Sequence, residues 1–362
     1  MNQELIVMTL DAGGTNFEFS AINNAAEVVK PVHKPSMGHD LDQCLQNIIA
    51  GFDAVRKQLD EPPAAISFAF PGPADYEHGI IGDLTNLPGF RGGVALGPML
   101  EDRFGLPVFI NNDGDLFTYG EAMHGLLPEI NKKLLALGSE KQYKNLSGVT
   151  LGTGFGGGFV HNNELMIGDN GAGGEVCLLR DAFNDSLFAE ESISARAVTS
   201  EYARLSKSNV DHLMPADVFM IAKGTKPGNM EAALDSFRKF GRALGSILAE
   251  FTTLMDAPIV VGGGLANAWE LFAPEMFSIM HDNFKSLKGN KMNQLLMKTY
   301  NLENDEEFAS FAKGEQTRIK VPFSEREISY DPMKRIGVGL SRLGTSKAVA
   351  LGAYAFAVKK IL

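Results

Sequence analysis

The chain has 362 residues, of which 44% are hydrophobic and 21% charged, and its formal net charge is −11. These values are typical of a soluble globular protein with one large or two medium domains, and the acidic balance argues against a polyanionic partner such as nucleic acid. The two cysteines, Cys44 and Cys177, are too few for a disulfide framework or a four-cysteine zinc site. We therefore expect a protein of the reducing cytoplasm.

No targeting or membrane-spanning segment is predicted. The N-terminus lacks a basic stretch, and its apolar run is cut at Asp11, too early for a signal peptide. No stretch reaches the roughly 18 uninterrupted apolar residues of a membrane helix. The most apolar candidate, residues 243–261, is broken by Glu250 and Asp256.

Residues 5–22 form the first hairpin. An apolar run leads to Asp11, crosses a turn at Gly13 and Gly14, and returns through alternating apolar residues, which predicts two antiparallel strands. Glycines allow backbone N–H groups to approach a ligand closely, and Thr15 adds a hydroxyl. The turn therefore suits phosphate oxygens, with Asp11 organising the water around a magnesium ion. A plain tight hairpin is the alternative.

The next segments predict a mixed or parallel sheet. Residues 41–59 have helical spacing, with Asp40 as a candidate N-cap, and residues 64–70 resemble a buried strand. Strand, helix and strand in this order imply a βαβ crossover. A further helix is predicted around residues 96–104 and a further strand at residues 107–111.

That strand ends at Asn112 and Asp113, which precede another helical pattern. Polar residues at the carboxyl end of a sheet strand lie where open α/β sheets bind ligands. The alternative is that Asp113 or Asp115 only caps the helix. Residues 128–145 are charged and weakly patterned, which predicts an exposed helix or an insertion.

Residues 149–161 repeat the plan of the first hairpin, with a strand, the turn Gly152-Thr153-Gly154 and a glycine-rich second strand. Two such units on opposite sides of the chain's midpoint indicate an internally duplicated architecture, although a chance repeat is the alternative. We expect the two turns to face each other across a cleft, one per domain, and to hold a polyphosphate.

The segments after the second hairpin contribute acidic residues and a long helix. Glu175 lies in another glycine-rich turn, and Glu190 and Glu191 open a helical pattern. A glutamate at such a place is more often a partner of the helix dipole than a ligand. Residues 235–253 predict a long buried helix, followed by a strand at residues 258–261.

A third glycine turn follows at residues 262–264, where strand, glycines and helix together indicate close approach of a ligand to a helix N-terminus. It is not a dinucleotide fingerprint, because Asn267 occupies the sixth position. Residues 285–329 are polar and predict an insertion. Residues 344–358 predict a helix of small residues that packs closely on a sheet.

Missing motifs exclude several common chemistries. The chain has no Gly-Lys dipeptide, hence no Walker A loop, and neither H-E-x-x-H nor G-x-S-x-G. Two phosphate turns, a nucleoside turn and one well-placed carboxylate remain. That set predicts ATP and a hydroxyl acceptor, because phosphoryl transfer needs positioning, a cation on the phosphates and a base.

The sequence resembles the ROK family (repressor, open reading frame, kinase), which holds bacterial glucokinases, fructokinases and N-acetylmannosamine kinases. The matching stretches follow the family's order along nearly the whole chain: LDAGGTN, FAFPGPAD, NLPGF, PVFINND, TLGTGFGGGFV, GAGGE, VVGGG and ALGA. The resemblance implies an α/β chain with the two-domain actin-like ATPase (ribonuclease H-like) fold and duplicated phosphate-binding hairpins. It also implies ATP-dependent phosphorylation of a hexose or hexosamine hydroxyl, with Mg²⁺ as the ion.

The resemblance further implies roles for single residues. Asp113 would be the general base for the sugar hydroxyl. The sugar would be bound by Asn112, Glu175, Glu190, Gly72 and Asn86. The nucleotide would be bound by Asp11, Gly13, Gly14, Thr15, Asn16, Thr153, Gly154, Gly263 and Gly264, with Asp11 reaching magnesium through water.

The chain departs from the family at its zinc motif. Leu178 stands where the family has a histidine, and RDAFNDSLFAEE replaces a cysteine loop, so we expect no zinc site. The loop that carries Glu190 would then be held by burial of its apolar side chains, Leu178, Leu179, Phe183, Leu187 and Phe188. An apolar residue in place of the histidine predicts a sugar preference shifted away from plain glucose, or a weaker affinity for it.

We expect a small domain of residues 1–115 plus 345–362, and a large domain of residues 116–344 with insertions near 126–147 and 285–330. A homodimer is expected, with the sugar and ATP as small-molecule partners and neither nucleic acid nor membrane. One alternative is a catalytically impaired sugar- or nucleotide-binding ROK protein. Another is a ROK transcriptional regulator. The acidic charge argues against binding to DNA, and Asp11 is too near the N-terminus to leave room for a helix-turn-helix ahead of the first hairpin.

Overall fold

The computed structural model describes residues 5–72, 74–84, 87–208 and 212–362. The helices of these residues are, in chain order, α1 (Leu41–Arg56), α2 (Leu96–Phe104), α3 (Asp113–His124), α4 (Leu126–Ala136), α5 (Ala195–Ser206), α6 (Pro215–Ala222), α7 (Met230–Met255), α8 (Trp269–Met280), α9 (Asp305–Lys313) and α10 (Thr345–Ile361). The strands are β1 (Val7–Ala12), β2 (Asn16–Asn23), β3 (Ala26–Glu27), β4 (Val32–Pro35), β5 (Ala65–Ala69), β6 (Ala74–Asp75), β7 (Ile80–Ile81), β8 (Val94–Ala95), β9 (Val108–Asn111), β10 (Leu146–Leu151), β11 (Phe155–His161), β12 (Glu164–Leu165), β13 (Ile259–Gly262), β14 (Asn283–Lys285), β15 (Lys291–Asn293), β16 (Lys298–Asn301), β17 (Thr317–Lys320), β18 (Glu327–Tyr330) and β19 (Arg335–Leu340).

The chain folds into two compact units. The first contains Met1–Gly125, Gly158–Gly174 and Leu343–Leu362, and the second contains Leu126–Gly157 and Glu175–Arg342. The whole of α3 thus belongs to the first unit. The domain bounds expected from the sequence, and the cleft expected between the two hairpins, stay predictions.

The first unit is built on a sheet of order β3-β2-β1-β5-β9, with β4 paired to β2. β1 and β2 are antiparallel, with Leu10 opposite Phe19, whereas β1, β5 and β9 run parallel. Every residue of β5 is buried, because both faces of the sheet are covered. The predicted first hairpin and βαβ crossover are therefore confirmed.

Two layers of helix cover this sheet. On one face, Phe52 of α1 packs edge-on against Phe19 at 5.1 Å between ring centroids. The N-cap of α1 is Asp40, as predicted, and its side chain accepts a hydrogen bond from the N–H of Gln43. On the other face, Val7 and Ala65 pack with Leu351 of α10. The cavity described below lies on this second face, at the carboxyl ends of the strands.

The second unit holds a sheet in which β11, β10, β13, β19 and β16 are neighbours in that order. β10, β13, β19 and β16 run parallel to one another. The chain passes into the first unit within β11, whose end pairs with β12 through Val160 and Leu165. Each unit therefore contains a glycine-turn hairpin followed by parallel strands, two in the first unit and three in the second, which confirms the internal duplication.

Some predicted elements differ from the observed ones. α4 is not simply exposed, because Leu126, Ile130 and Leu134 are buried along one face. The segment predicted as an insertion at residues 285–329 includes β16, a strand of the second sheet. Propensity and polarity alone do not reveal such roles, because partners distant in sequence create them.

Two further helices begin later than expected. Glu190 and Glu191 belong to a separate 3-10 turn, Ala189–Glu191, and α5 starts after its N-cap Ser194. The third glycine turn, at residues 262–264, leads into another 3-10 turn, Gly264–Ala268, before α8 begins. Among the described residues, none of the helices combines the length and apolarity that crossing a membrane requires.

Candidate active site

Asp113 lies at the start of α3, directly after β9. The cap of this helix is Asn112, whose side-chain oxygen accepts from the N–H of Gly114 at 2.8 Å. The alternative in which Asp113 or Asp115 is the N-cap is therefore wrong. Asp113 Oδ1 accepts from the same N–H at 2.8 Å, which fixes the orientation of its carboxylate.

Asp11 and Asp113 line one cavity of about 130 Å³ in the first unit. Phe70 and Val349 supply apolar walls, and Ser346 adds a hydroxyl from the first turn of α10. Solvent reaches Asp113 through the cavity, but the surrounding protein desolvates its carboxylate and so raises the pKa of Asp113 above the ordinary value. The N–H of Gly114 opposes this change, and the charge of Asp11 adds to it.

The turn of the first hairpin is exposed and is held from behind by Ser36. The Ser36 hydroxyl donates to the carbonyl of Gly14 at 2.6 Å, and its N–H donates to the carbonyl of Thr15 at 2.9 Å. A methyl group on Gly13 would lie 2.8 Å from the carbonyl oxygen of Asn16, so glycine is required there. The carbonyls of Gly14 and Thr15 thus point toward Ser36, which leaves the opposite side of the turn for a ligand.

Sequence reasoning missed Ser36, and no motif marks it. The residue follows β4, and only the pairing of β4 with β2 brings it to the turn. Thr15 and Asn16 of the same turn are exposed, in keeping with their proposed contact with a nucleotide.

The turn of the second hairpin is held by three hydrogen bonds. The N–H of Gly152 donates to the carbonyl of Gly154 at 3.0 Å, and the N–H of Ala195 donates to the carbonyl of Gly152 at 2.9 Å. The N–H of Phe155 donates to Glu190 Oε2 at 2.9 Å. Thr153 at the tip is exposed. Glu190, expected from the resemblance to bind sugar, therefore contacts the proposed nucleotide turn.

Glu175 and Glu190 lie near Cys177 in the second unit. The Cys177 thiol is 3.7 Å from Glu175 Oε2. Burial, together with the negative charges of Glu175 and Glu190, raises the pKa of Cys177 to about 11. The structure thus gathers both predicted sugar-binding glutamates around one neutral thiol.

The loop before Glu190 is not held by apolar burial, so that expectation is wrong. Leu178 is 69% exposed, Phe183 47% and Leu187 44%. Instead, the buried Asp181 accepts from the N–H groups of Phe183 and Asn184, both at 2.8 Å, and its own N–H donates to the carbonyl of Leu187. Backbone hydrogen bonds to Asp181, rather than apolar packing, shape this loop.

The third glycine turn follows β13. Gly263 has φ +90°, and a side chain there would overlap the backbone of Leu151, so glycine alone fits. A methyl group on Gly264 would meet no atom within 4 Å, which leaves room beside it. Gly72, after β5, lies close to Tyr76, whose hydroxyl donates to the carbonyl of Phe70 at 3.1 Å. Asn86 lies outside the described residues.

The carboxylate of Asp11 suits a magnesium ion that is bound through water. Within residues 5–72, 74–84, 87–208 and 212–362, no three His, Cys, Asp or Glu side chains converge in a metal-binding group. Mg²⁺ commonly uses one or two carboxylates together with substrate phosphates, and the Asp11 carboxylate lines a cavity beside the first turn.

Comparison with known proteins places the chain among sugar kinases. The sequence model of the ROK family matches residues 7–301. A glucokinase from Thermotoga maritima is 24% identical over 287 residues, covering 75% of this chain and 86% of the relative. An N-acetyl-D-glucosamine kinase from Vibrio vulnificus is 28% identical over 288 residues, covering 74% and 86%.

Solved structures agree with this placement. The crystal structure of a glucokinase from Parabacteroides distasonis is 51% identical, with a TM-score of 0.90 and coverage of 99% of this chain and 98% of that one. A ROK family glucokinase from Streptomyces griseus, in complex with glucose and AMPPNP, is 19% identical, with a TM-score of 0.58 and coverage of 98% and 99%. These likenesses confirm the predicted α/β fold of the actin-like ATPase class.

Proposed function

We propose that this chain, which belongs to the ROK family and is a sugar kinase, transfers the γ-phosphoryl group of ATP to a hydroxyl of a hexose or hexosamine. Asp113 is proposed as the general base. The observation that carries the assignment is its carboxylate, which lines a cavity with Asp11 and has a raised pKa. A base with a pKa moved toward the working pH is better matched to accepting a proton from an alcohol.

The reaction balances with this residue as the proton acceptor. The sugar hydroxyl oxygen forms a bond to the γ-phosphorus, the bond from that phosphorus to the bridging oxygen breaks, and ADP leaves. The hydroxyl proton passes to the Asp113 carboxylate. When bound, magnesium neutralises charge on the phosphates, and Asp11 would hold it through water.

The two glycine turns are proposed to bind the phosphates. Backbone N–H groups in tight turns form concave anion sites, and both turns have carbonyls engaged by the protein behind them. Gly263 and Gly264 would leave space for the adenosine. The proposed sugar ligands are Asn112, Glu175, Glu190, Gly72 and Asn86, carried over from the family resemblance.

The decisive experiment is a release assay for ADP with a panel of hexoses and hexosamines. The purified chain is incubated with ATP, magnesium and glucose, mannose, fructose, N-acetylglucosamine or N-acetylmannosamine. We expect sugar-dependent ADP release, and its absence with every sugar would favour a sugar-binding protein without catalysis. The relatives named glucokinase favour glucose and the one named N-acetyl-D-glucosamine kinase favours that hexosamine, whereas Leu178 in place of the family histidine favours a sugar other than glucose. The panel decides between these expectations.

We also propose a homodimer. In the second unit, the hairpin β14–β15 carries exposed Phe284 and Leu287, and the hairpin β17–β18 carries exposed Phe323. Two-stranded hairpins gain little stability alone, so such apolar side chains favour contact with a second copy. Light scattering over a range of concentrations tests this, and a constant monomer mass would contradict it.

A further inference from the structure

The Glu190 carboxylate holds the turn of the second hairpin. Its Oε2 accepts from the N–H of Phe155 at 2.9 Å, although the two residues are 35 positions apart. A methyl group on Gly154 would lie 2.6 Å from the same oxygen, so glycine at this position lets the carboxylate approach without having to shift. Glu190 is therefore one of the groups that hold the backbone conformation of this turn.

This hydrogen bond leaves part of the turn open for a ligand. The Phe155 N–H is engaged by Glu190, and the Gly152 carbonyl is engaged by Ala195. In the described part of the chain, the N–H groups of Thr153 and Gly154 donate no hydrogen bond. Their direction depends on the conformation of the turn, which the bond from Phe155 to Glu190 helps to hold, because adjacent peptide planes share backbone dihedrals.

The second carboxylate oxygen of Glu190 is available. Within the described residues, Oε1 accepts no hydrogen bond, and the side chain is partly exposed. The negative charges of Glu190 and Glu175 both act on the Cys177 thiol, so the two carboxylates share one neighbourhood. One oxygen of Glu190 thus faces the proposed nucleotide turn while the other is free to accept from a hydroxyl group.

We infer that Glu190 is a positioning residue that couples sugar binding to nucleotide binding. The inference rests on the proposed function, because it needs a sugar hydroxyl on Oε1 and phosphates on the turn. A sugar that engages Oε1 restricts the rotation of the carboxylate, and this restriction orders the turn through Oε2. The nucleotide then binds a turn that is already ordered, so its binding loses less conformational entropy. Because such coupling is reciprocal, each substrate tightens the binding of the other by the same factor.

The test measures the affinity for AMPPNP by titration calorimetry, with and without a saturating sugar that the wild type phosphorylates. In the wild type we expect the sugar to lower the Kd of AMPPNP by about fivefold or more. In Glu190→Ala, with the sugar raised until it saturates the variant in its own titration, the ratio of the two Kd values should fall to about one. Glu191→Ala is the matched control, since Glu191 pairs with Arg196 on the surface, and it should keep the wild-type ratio. A wild-type ratio in Glu190→Ala would overturn the inference.

Hydrogen exchange supplies a readout that does not depend on catalysis. We expect residues 152–155 to exchange faster in Glu190→Ala than in the wild type. Glu190→Gln should retain protection, because the amide oxygen can still accept from Phe155. Unchanged exchange in Glu190→Ala would overturn the positioning role. If the wild type released no ADP with any sugar, the proposed function would fail while this exchange comparison still tested Glu190 on its own.

Discussion

Gly120 of α3 and Gly352 of α10 face each other where the two helices touch. The backbone nitrogen of each glycine lies 3.0 Å from the position that a methyl group on the other would occupy. The helices therefore pack backbone to backbone, closer than any side chain would allow. Since α3 carries Asp113 and α10 carries Ser346 and Val349, this contact sets the walls of the cavity around the proposed base.

Replacing Gly352 by alanine tests this contact. The new methyl group would overlap the carbonyl oxygen of Leu116, and backbone atoms cannot turn aside as a flexible side chain can. We expect Gly352→Ala to lower the free energy of unfolding by about 1–3 kcal/mol or more, measured by denaturant titration. Lys347→Ala, on the exposed side of the same helix, should change it by about 0.5 kcal/mol at most. Equal stability of the two variants would show that α3 and α10 can accommodate the added methyl group without cost.

Asp113→Asn should remove phosphorylation while leaving sugar and ATP binding largely intact. The amide keeps the shape and hydrogen-bonding capacity of the carboxylate but cannot accept the proton, so turnover should fall by roughly 10²–10⁴-fold. In the wild type, the acid limb of the rate profile should lie above the ordinary aspartate pKa, because the pKa of Asp113 is raised. Asp42→Asn, on the exposed surface of α1, serves as the control. Near-wild-type turnover in Asp113→Asn would refute the assignment.

The same substitution should increase stability at neutral pH. A folded-state pKa above the unfolded value means that protonated Asp113 favours the folded state. That contribution is fully present below the unfolded pKa, about 3.9, and is lost as pH rises through the folded pKa. At neutral pH the charged carboxylate therefore opposes folding, and the uncharged amide relieves this. Thermal unfolding should show Asp113→Asn above the wild type at pH 7, with the difference shrinking as pH falls through the folded pKa of Asp113 and absent below about pH 4.

Ser36→Ala tests the support of the first glycine turn. Loss of the hydroxyl removes the hydrogen bond to the Gly14 carbonyl, a contribution of about 1 kcal/mol. Because the turn is proposed to bind phosphates, we expect the KM for ATP to rise by about threefold to tenfold, with the KM for the sugar unchanged. Ser329→Ala, in the exposed strand β18, should alter neither. An equal rise in both constants would point to general loosening of the unit instead.

Asp331→Asn should destabilise the second unit. Arg335 is buried and pairs with Asp331 at 2.6 Å, so removal of the charge leaves a buried guanidinium without its counterion, a loss of about 3 kcal/mol. Burial alone would raise the pKa of Asp331, but the hydrogen bonds from Arg335 and nearby N–H groups lower it overall. The stabilisation is therefore present above the unfolded pKa and is lost as pH falls through the folded one.

Chemical unfolding at pH 7 and at acidic pH measures this effect. The variant and the wild type should differ at pH 7 and converge as the medium becomes acidic. Glu327→Gln, in an exposed pair with Arg318, should cost about 1 kcal/mol at most. An equal loss of unfolding free energy in Glu327→Gln would show that the buried pair of Asp331 and Arg335 stabilises the protein no more than an exposed pair does.

Purified protein should contain no stoichiometric zinc. Between Glu175 and Ala197 the only cysteine or histidine is Cys177, whereas a structural zinc site needs about four ligands. The Asp181 carboxylate organises the replacement loop by accepting two backbone hydrogen bonds. Elemental analysis after dialysis checks this, with Asp181→Ala expected to lower stability without changing metal content. One zinc per chain would contradict the prediction.

Local pattern was sufficient for most of the secondary structure. Alternating apolar residues around Gly13 and Gly152 predicted both hairpins, and Asp40 marked the start of α1. Local pattern failed where contacts with residues distant in sequence decide the structure of a segment. The apolar residues of the loop before Glu190 looked like a small core, yet Leu178 and Phe183 are exposed because hydrogen bonds to Asp181 shape the loop.

The sequence by itself determined the family, the fold and the position of each glycine turn, because a turn depends on residues adjacent in the chain. Only the tertiary structure decided which groups support those turns. Ser36 reaches Gly14 across 22 positions through strand pairing, and Glu190 reaches Phe155 across 35. The contact of Gly120 with Gly352 likewise forms only when α3 and α10 pack. Such contacts cannot be predicted from the local sequence, because they form only when segments distant in the chain pack together.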